Sequence, residues 1–463
     1  MNDGGWWGGG LLAAGDPRAQ WARAGADAVS FREFRARTTW LSSVLPAHGI
    51  RAGSTVALHG TPSFTQLWVV CALWSLGAQV VLLEPSVPRA ERRALLELSD
   101  PQFVITLGEL LGDEDRFAPE CEVLVRRRPG GRPAGTDHCL VQFSSGTTGR
   151  PKAAGRTASS LLAEVRRIGA LALVARDGER VAVLEPVARS FALIGGVLHA
   201  LATGATVVFP TSGGDAAVVA AAADADVVLG GPRQIAQLAN APAGTRLPRL
   251  RLAVSGGDVL PVETAGAFVR RYGVRVGQAY GTTETGVVAT DLAGEYGPGV
   301  IGVPLPGVRT RVVAGALQVH VPASPYPYEP WPALAGGGWL PTHDLVARDA
   351  ATGAWWLRGR DGRASSGEYL VDIEAVLLAH RDVRDAVVLG PDPVEAHVAG
   401  SGALRRADLA AWCRRFLQEA AVPQSFHVVP ELARSASGKA LRDRARLHGQ
   451  GWAPRPDRVG RGR

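Results

Sequence analysis

Residues Val141–Ala154 read VQFSSGTTGRPKAA, and the fold and chemistry of the chain follow from them. An apolar, strand-like run (Cys139, Leu140, Val141, Phe143) empties into Ser144, Ser145, Gly146, Thr147, Thr148 and Gly149, then closes on Arg150, Pro151 and Lys152. Hydroxyls and backbone N–H groups freed by glycine can surround a polyphosphate, and a cation beside them offsets its charge. The spacing is not that of a Walker A loop, because Pro151 stands where G-x-x-x-x-G-K-[ST] needs its second glycine. The stretch is a nucleotide loop of another kind.

The chain has 48 arginines and only two lysines, Lys152 in this loop and Lys439 in SASGKALR. A protein that otherwise carries its positive charge on arginine has kept an ammonium at two places, which points to a need there for a compact point charge. Two leftover surface lysines would not both fall in loops rich in Gly, Ser and Thr.

SSGTTGRPK resembles the phosphate loop of the adenylate-forming superfamily, which includes acyl-CoA synthetases, stand-alone adenylation domains of peptide synthetases and luciferases. Further motifs occur in the same order as in that family, over roughly residues 25 to 445. Gly277–Gly286, GQAYGTTETG, resembles its YGxTE motif. From the residues alone, an aromatic ring at a strand end can stack on a purine, a Gly-Thr-Thr turn supplies donors, and a carboxylate can hold a divalent cation against phosphates. A β-turn capped by a helix-start glutamate has the same pattern. The resemblance implies that Tyr280 packs on adenine, with Ala279 and Gly281 also binding the nucleotide, that Thr282 and Thr283 contact substrate and phosphate, and that Glu284 binds Mg²⁺. Ser255, Gly256 and Gly257 resemble the family's segment beside adenine and the acyl pocket, although a plain tight turn reads identically. Trp339–Leu345, WLPTHDL, resembles the motif whose aspartate holds the ribose hydroxyls, here Asp344, with His343 in place of the usual glycine. Gly359 and Arg360 match the start of the next motif, in which the arginine also reaches ribose. Lys439 matches the C-terminal motif lysine that bridges the substrate carboxylate and the α-phosphate.

The family's amino-acid-activating members carry an aspartate near Pro186–Leu193, PVARSFAL, for the α-ammonium; none is present here. An aryl or alkyl acid is therefore expected, with Arg189, Ser190, Phe191, Gly195 and Ser255 forming its pocket. Arg189 reads equally as a partner for a polar or acidic substituent and as a surface residue at a helix start. The implied reaction is ATP-dependent activation of a carboxylic acid to an acyl-adenylate, followed by transfer to the thiol of CoA or of a phosphopantetheine on a separate acyl carrier protein. Only Asp361–Ser366 separate Gly359-Arg360 from Gly367-Glu368, fewer residues than the family's hinge carries. That leaves open capture of the adenylate by an amine, and a non-catalytic relative is a third reading that the joint retention of Lys152, Glu284, Asp344 and Lys439 opposes.

The fold expected is α/β: a large N-terminal domain of two α/β subdomains plus a small β subdomain, with a small mobile α+β C-terminal domain. Strands separated by helices of 10 to 15 residues carry this expectation up to Ala279, and alternating Val/Arg after Gly299 marks antiparallel strands. The boundaries read as 1–358 for the adenylate-forming domain, 359–367 for a hinge linker, 368–450 for the domain with Lys439, and 451–463 for a basic disordered tail. Residues 1 to about 25 read as a loose arm, Arg126–Arg128 as a solvated loop, and Ala158–Ala175 and Leu404–Ala420 as helices.

A net charge of +7 at this length suits an anionic small ligand and lacks the clustering a nucleic-acid surface needs. Four widely spaced cysteines without a C-x-x-C favour a reducing compartment. The N-terminus lacks the basic residues and apolar core of a signal peptide, and no apolar run approaches the roughly 18 residues of a membrane span. A cytoplasmic enzyme without a membrane span is the expectation.

Overall fold

A computed structural model describes residues 6–108, 116–144, 152–297, 299–328, 337–360, 370–390, 393–401, 404–417, 419–434 and 440–448. These divide into two compact units, one built from residues up to 342 with 346–357, the other from 343–345 and the residues from 358 onward.

The large unit is organised by one apolar helix, Phe64–Ser75 (FTQLWVVCALWS). All but its last residue are buried, as a helix that is apolar on every side requires. The Ser63 hydroxyl accepts from the Gln66 N–H at 3.1 Å and so fixes its start. Beside it lies a six-stranded sheet, in the order Val123–Arg127, Phe103–Leu107, Thr55–Gly60, Gln79–Leu82, His138–Ser144 and Lys152–Thr157, parallel in its centre and antiparallel at both edges. Arg126 and Arg127 are not in a loop, as the sequence suggested; they end the edge strand Val123–Arg127, where charged side chains discourage pairing with another chain.

A second sheet of 13 strands has a parallel core of Thr206–Phe209, Arg180–Val183, Val227–Gly230, Leu252–Gly256 and Val276–Thr282. It turns antiparallel at Gly286–Asp291 and continues through Val300–Pro304 into the β-rich strands expected after Gly299. Residues 6 to about 25, the described part of the expected loose arm, are packed into the fold. Gln20–Ala24 pairs in parallel with Thr206–Phe209, and Trp21 is wholly buried against Phe34 and Phe64. Its partner strand lies far along the chain, so local periodicity held no sign of it. The expected helix Ala158–Ala175 stops at Gly169, which frees Leu171, Val174 and Ala175 to line a cavity.

In the small unit Val383–Leu389, Glu395–Gly400 and Ser425–Val429 form a three-stranded sheet. Helices Leu370–Leu378 and Arg406–Arg414 cover one face through Ile373, Leu377, Leu409 and Cys413; the second is shorter than the Leu404–Ala420 span expected. On the other face Leu432 and Leu447 pack on Val387 and Ala399. The hinge positions Asp361–Gly367 and the tail 451–463 lie outside the described residues. All four cysteines are free, and burial pushes the Cys71 and Cys139 thiols up to about 12. Among the described residues no helix is long and apolar enough to cross a membrane.

Candidate active site

The phosphate-loop stretch is held by a hairpin. His138–Ser144 runs antiparallel to Lys152–Thr157, with Ser144 opposite Lys152 and Phe143 opposite Ala153. Between them Ser145, Gly146, Thr147, Thr148 and Gly149 lie outside the described residues, as does the side chain of Ser144. Lys152 stands half-buried where the outgoing strand begins.

That outgoing strand is tied to the second motif by an ion pair. Arg156 donates to Glu164 at 2.7 Å, both side chains are about 95% buried, and Glu164 also accepts from the backbone N–H of Val287 at 2.9 Å. Gly286 lies between: its φ is +70°, and a Cβ there would sit 2.0 Å from a Glu164 carboxylate oxygen. The last glycine of GQAYGTTETG therefore makes room for a carboxylate rather than for a ligand. Sequence reasoning missed Arg156 and Glu164, because they belong to different elements and meet only once the hairpin and the following helix are in place. Gln142 was missed for the same reason. It donates to the Ala188 carbonyl at 2.5 Å and accepts from the Ser190 hydroxyl at 2.5 Å, fixing the turn that leads to Phe191.

The Thr-Thr-Glu turn links Val276–Thr282 to Gly286–Asp291. Thr285 Oγ1 accepts from the Thr282 N–H at 3.2 Å, and Thr282 Oγ1 accepts from the Thr285 N–H at 3.3 Å. This reciprocal bonding puts Thr283 and Glu284 at the apex, both half-buried. Glu284 has no basic partner among the described residues, and its carboxylate is the second cause, after burial, that pushes the Tyr326 phenol up to about 12. A carboxylate oxygen donor suits Mg²⁺. Alternation along the strand sends Ala279 and Tyr280 to opposite faces. Tyr280 packs against the cluster of Ile301, Leu317, Val346 and Trp355, while Ala279 faces a cavity.

Ser255 and Gly256 end the strand Leu252–Gly256, and Gly257 follows at φ +85°. A Cβ on Gly256 would come within 2.8 Å of the Phe191 ring, so this glycine sets the ring's position. Ser255 is 1% exposed and its hydroxyl has no partner among the described residues. Asp344 is buried in the strand Trp339–Arg348, directly after His343, whose φ of +60° is the left-handed backbone that glycine adopts freely. Arg360 ends the strand Trp355–Arg360 with its side chain outside the described residues, and Lys439 lies outside them altogether.

The cavity, of about 40 Å³, runs from Phe191, Gly195, Val254, Ala279 and Val287 down to His199. Phe191–Leu198 is an eight-residue π-helix that passes into a short α-helix at His199–Thr203. Its two central glycines lie close on their neighbours; a Cβ on Gly196 would meet Val183 at 2.7 Å. Thr290 and His199 are the polar side chains of the lining. His199 is 3% exposed, its Nε2 has no partner among the described residues, and burial, helped by the charge of Arg176, lowers the imidazole to about 4. It is neutral at pH 7. Arg189 does not line the cavity. Its guanidinium bonds Glu185 at 2.6 Å and Glu84 at 3.3 Å, so the carboxylate partner that one of its two readings sought in a substituent is supplied by the protein. Ser190 is likewise held by Gln142 and is absent from the lining.

Residues 13–324 match the AMP-binding enzyme family, and residues 372–439 match the AMP-binding enzyme C-terminal domain. The chain belongs to the AMP-binding enzyme family. The adenylate-forming resemblance carried by the motifs is thus established, and the protein is an AMP-binding enzyme with an α/β fold. Among its relatives, a benzoate–CoA ligase of Thauera aromatica is 29% identical over 348 residues, 67% of this chain and 66% of that ligase. A feruloyl-CoA synthase of an Amycolatopsis species is 28% identical over 93% of this chain and 96% of its own length. The fold of the O-succinylbenzoate coenzyme A synthetase of Bacillus subtilis, solved with AMP, superposes with a TM-score of 0.78 at 22% identity, covering 95% of this AMP-binding enzyme and 97% of that chain.

Proposed function

We propose that this AMP-binding enzyme activates an aryl or alkyl carboxylic acid with ATP and passes the acyl group to the thiol of CoA or of a separate carrier protein. The observation that carries the substrate class is the cavity beside Ala279, which is apolar and has no carboxylate in its lining to hold an α-ammonium. His199 sets a finer preference. A neutral imidazole with an unpartnered nitrogen, in a lining whose one other polar side chain is Thr290, suits an uncharged acid with one hydrogen-bonding substituent remote from its carboxylate.

In the first half-reaction a carboxylate oxygen of the acid bonds to the α-phosphorus of ATP as the bond from that phosphorus to the bridging oxygen breaks, and pyrophosphate leaves with the electron pair. Lys152 and residues 144–149 hold the β- and γ-phosphates, Tyr280 borders the adenine, and Asp344 with Arg360 takes the ribose hydroxyls. Mg²⁺ held by Glu284 would neutralise charge on the phosphate oxygens. The Lys439 ammonium meets the charge that develops on the α-phosphate. In the second half-reaction a thiolate bonds to the acyl carbon and AMP departs. Residues 359–367 are the hinge, 368–450 the domain that brings Lys439, and the cytoplasm the site of action.

ATP–pyrophosphate exchange with Mg²⁺ across aryl, alkyl and α-amino acids tests this reading. Exchange with aryl or alkyl acids is expected; exchange confined to α-amino acids, or none with any acid, overturns it. AMP release is then followed with CoA, carrier protein or amine as acceptor. The short segment Asp361–Ser366 motivates the amine arm, and release with an amine alone would replace thioester formation by amide formation.

A further inference from the structure

A cluster of titratable side chains lies in the small unit, on the sheet face opposite helices Leu370–Leu378 and Arg406–Arg414. Glu395–Gly400 and Ser425–Val429 are parallel neighbours, with His397 directly opposite His427. Glu395 is two residues before His397 and so shares its face. The short helix Arg444–His448, seated by buried Leu447, brings His448 onto the same face. One ligand atom from each of Glu395, His397, His427 and His448 falls within 4.8 Å of all the others. The His397 and His427 rings lie nearly parallel, 4.6 Å apart, and the His448 ring stands edge-on to both.

We propose that Glu395, His397, His427 and His448 bind a Zn²⁺ ion. Three imidazoles and one carboxylate are a donor set for a borderline-soft metal, and four protein ligands make a closed, structural site. The geometry needs little adjustment. Four points no more than 4.8 Å apart all lie within about 2.9 Å of a common centre, and zinc takes nitrogen and oxygen at about 2.0–2.2 Å, so each atom moves inward by less than about 1 Å. Glu395 is already oriented for this. Its Oε1 accepts from Arg444 at 2.8 Å and lies 3.4 Å from His397 Nε2, while Oε2 lies 3.2 Å from His448 Nε2 and 4.0 Å from His427 Nε2, so the carboxylate faces all three imidazoles. An arginine behind a ligating carboxylate is the kind of outer partner that fixes its direction. Hydrophobic packing alone does not account for the cluster, since it gathers three of the chain's ten histidines around one glutamate. In the sequence His427 and His448 bracket Lys439, so the ion would pin both ends of the stretch that carries it.

The test uses the full chain, purified without chelator and without a histidine tag. Metal analysis is expected to find one zinc per chain. Chelator-treated protein is then titrated with Zn²⁺ against a chromophoric zinc chelator in excess Mg²⁺, which imidazoles bind poorly. His427→Ala and His448→Ala are the variants of choice, because their side chains are 29% and 43% exposed and their loss leaves the buried pair in place. Each is expected to lower zinc affinity by more than about 100-fold, since even outer-shell partners are worth about 10–100-fold. The far-UV circular dichroism should stay the same. Failure of the wild-type chain to take up stoichiometric zinc overturns the proposal and leaves a hydrogen-bonded His–Glu network. Equal uptake by wild type and both variants overturns it as well, by placing the ion elsewhere.

Discussion

Replacing His199 by leucine should move stability and substrate affinity in opposite directions. The side chain is 3% exposed, and its Nε2 has no hydrogen-bond partner among the described residues. Removing an unsatisfied buried polar atom returns about 1–3 kcal/mol, so His199→Leu should be the more stable protein at pH 7. The gap should widen in acid. The imidazole is lowered from 6.5 to about 4 in the fold, so the folded chain keeps it neutral while the unfolded chain takes up a proton below pH 6.5. Nothing is lost above pH 6.5. Between 6.5 and about 4 the wild type loses up to about 3 kcal/mol that the leucine variant keeps, from 1.36 kcal/mol per pKa unit. His59, also lowered to about 4 by burial, is present in both proteins and cancels in the comparison. Urea unfolding of both proteins at pH 7 and pH 5 measures the difference. In the exchange assay the variant should show a KM about 3–10-fold higher for an acid with a remote hydroxyl, equivalent to a hydrogen bond of about 1 kcal/mol, with no rise for the unsubstituted acid. A variant less stable than wild type at pH 7, or a stability difference that does not change with pH, would refute the reasoning, because it would mean that the imidazole is satisfied in the folded protein.

Three more outcomes follow from other residues of the chain. Arg156→Met leaves Glu164 buried and unpaired and should cost about 3–5 kcal/mol in a thermal melt, whereas Arg156→Met/Glu164→Gln should recover part of that; equal losses in the two would show that the charge is not what matters. His343→Gly relieves a left-handed residue worth about 1–2 kcal/mol at a backbone-entropy cost of about 0.5–1 kcal/mol, so a higher urea midpoint is expected, and a lower one would mean that the histidine side chain outweighs the strain. Glu284→Gln should raise the Mg²⁺ concentration for half-maximal exchange on the order of 10–100-fold, the value of a charge-assisted contact, and an unchanged requirement would place the metal on other groups.

The motifs that carry the family resemblance are legible in the sequence because each is a short run of neighbouring residues. A glycine-rich turn, a strand-end tyrosine followed by Thr-Thr-Glu, and two lysines in an arginine-rich chain need no long-range information, and the alternation of strand and helix fixed the α/β class. Stability and the acid pocket depend instead on residues far apart in sequence. Trp21 joins the core through a strand almost 200 residues away, which no local pattern discloses. Arg189 read equally as a partner for a substrate group and as a surface residue until Glu84 and Glu185 were brought to it, and no local pattern marks His199, just past the π-helix, as lining an apolar cavity. The Glu395–His397–His427–His448 cluster comes from three elements of the small unit. By itself the sequence determined the family and the α/β class, because short motifs and the alternation of strand and helix are local. Only the tertiary structure decided which buried polar groups are already paired and which are left to meet a ligand, because pairing depends on distances that the chain sets by folding.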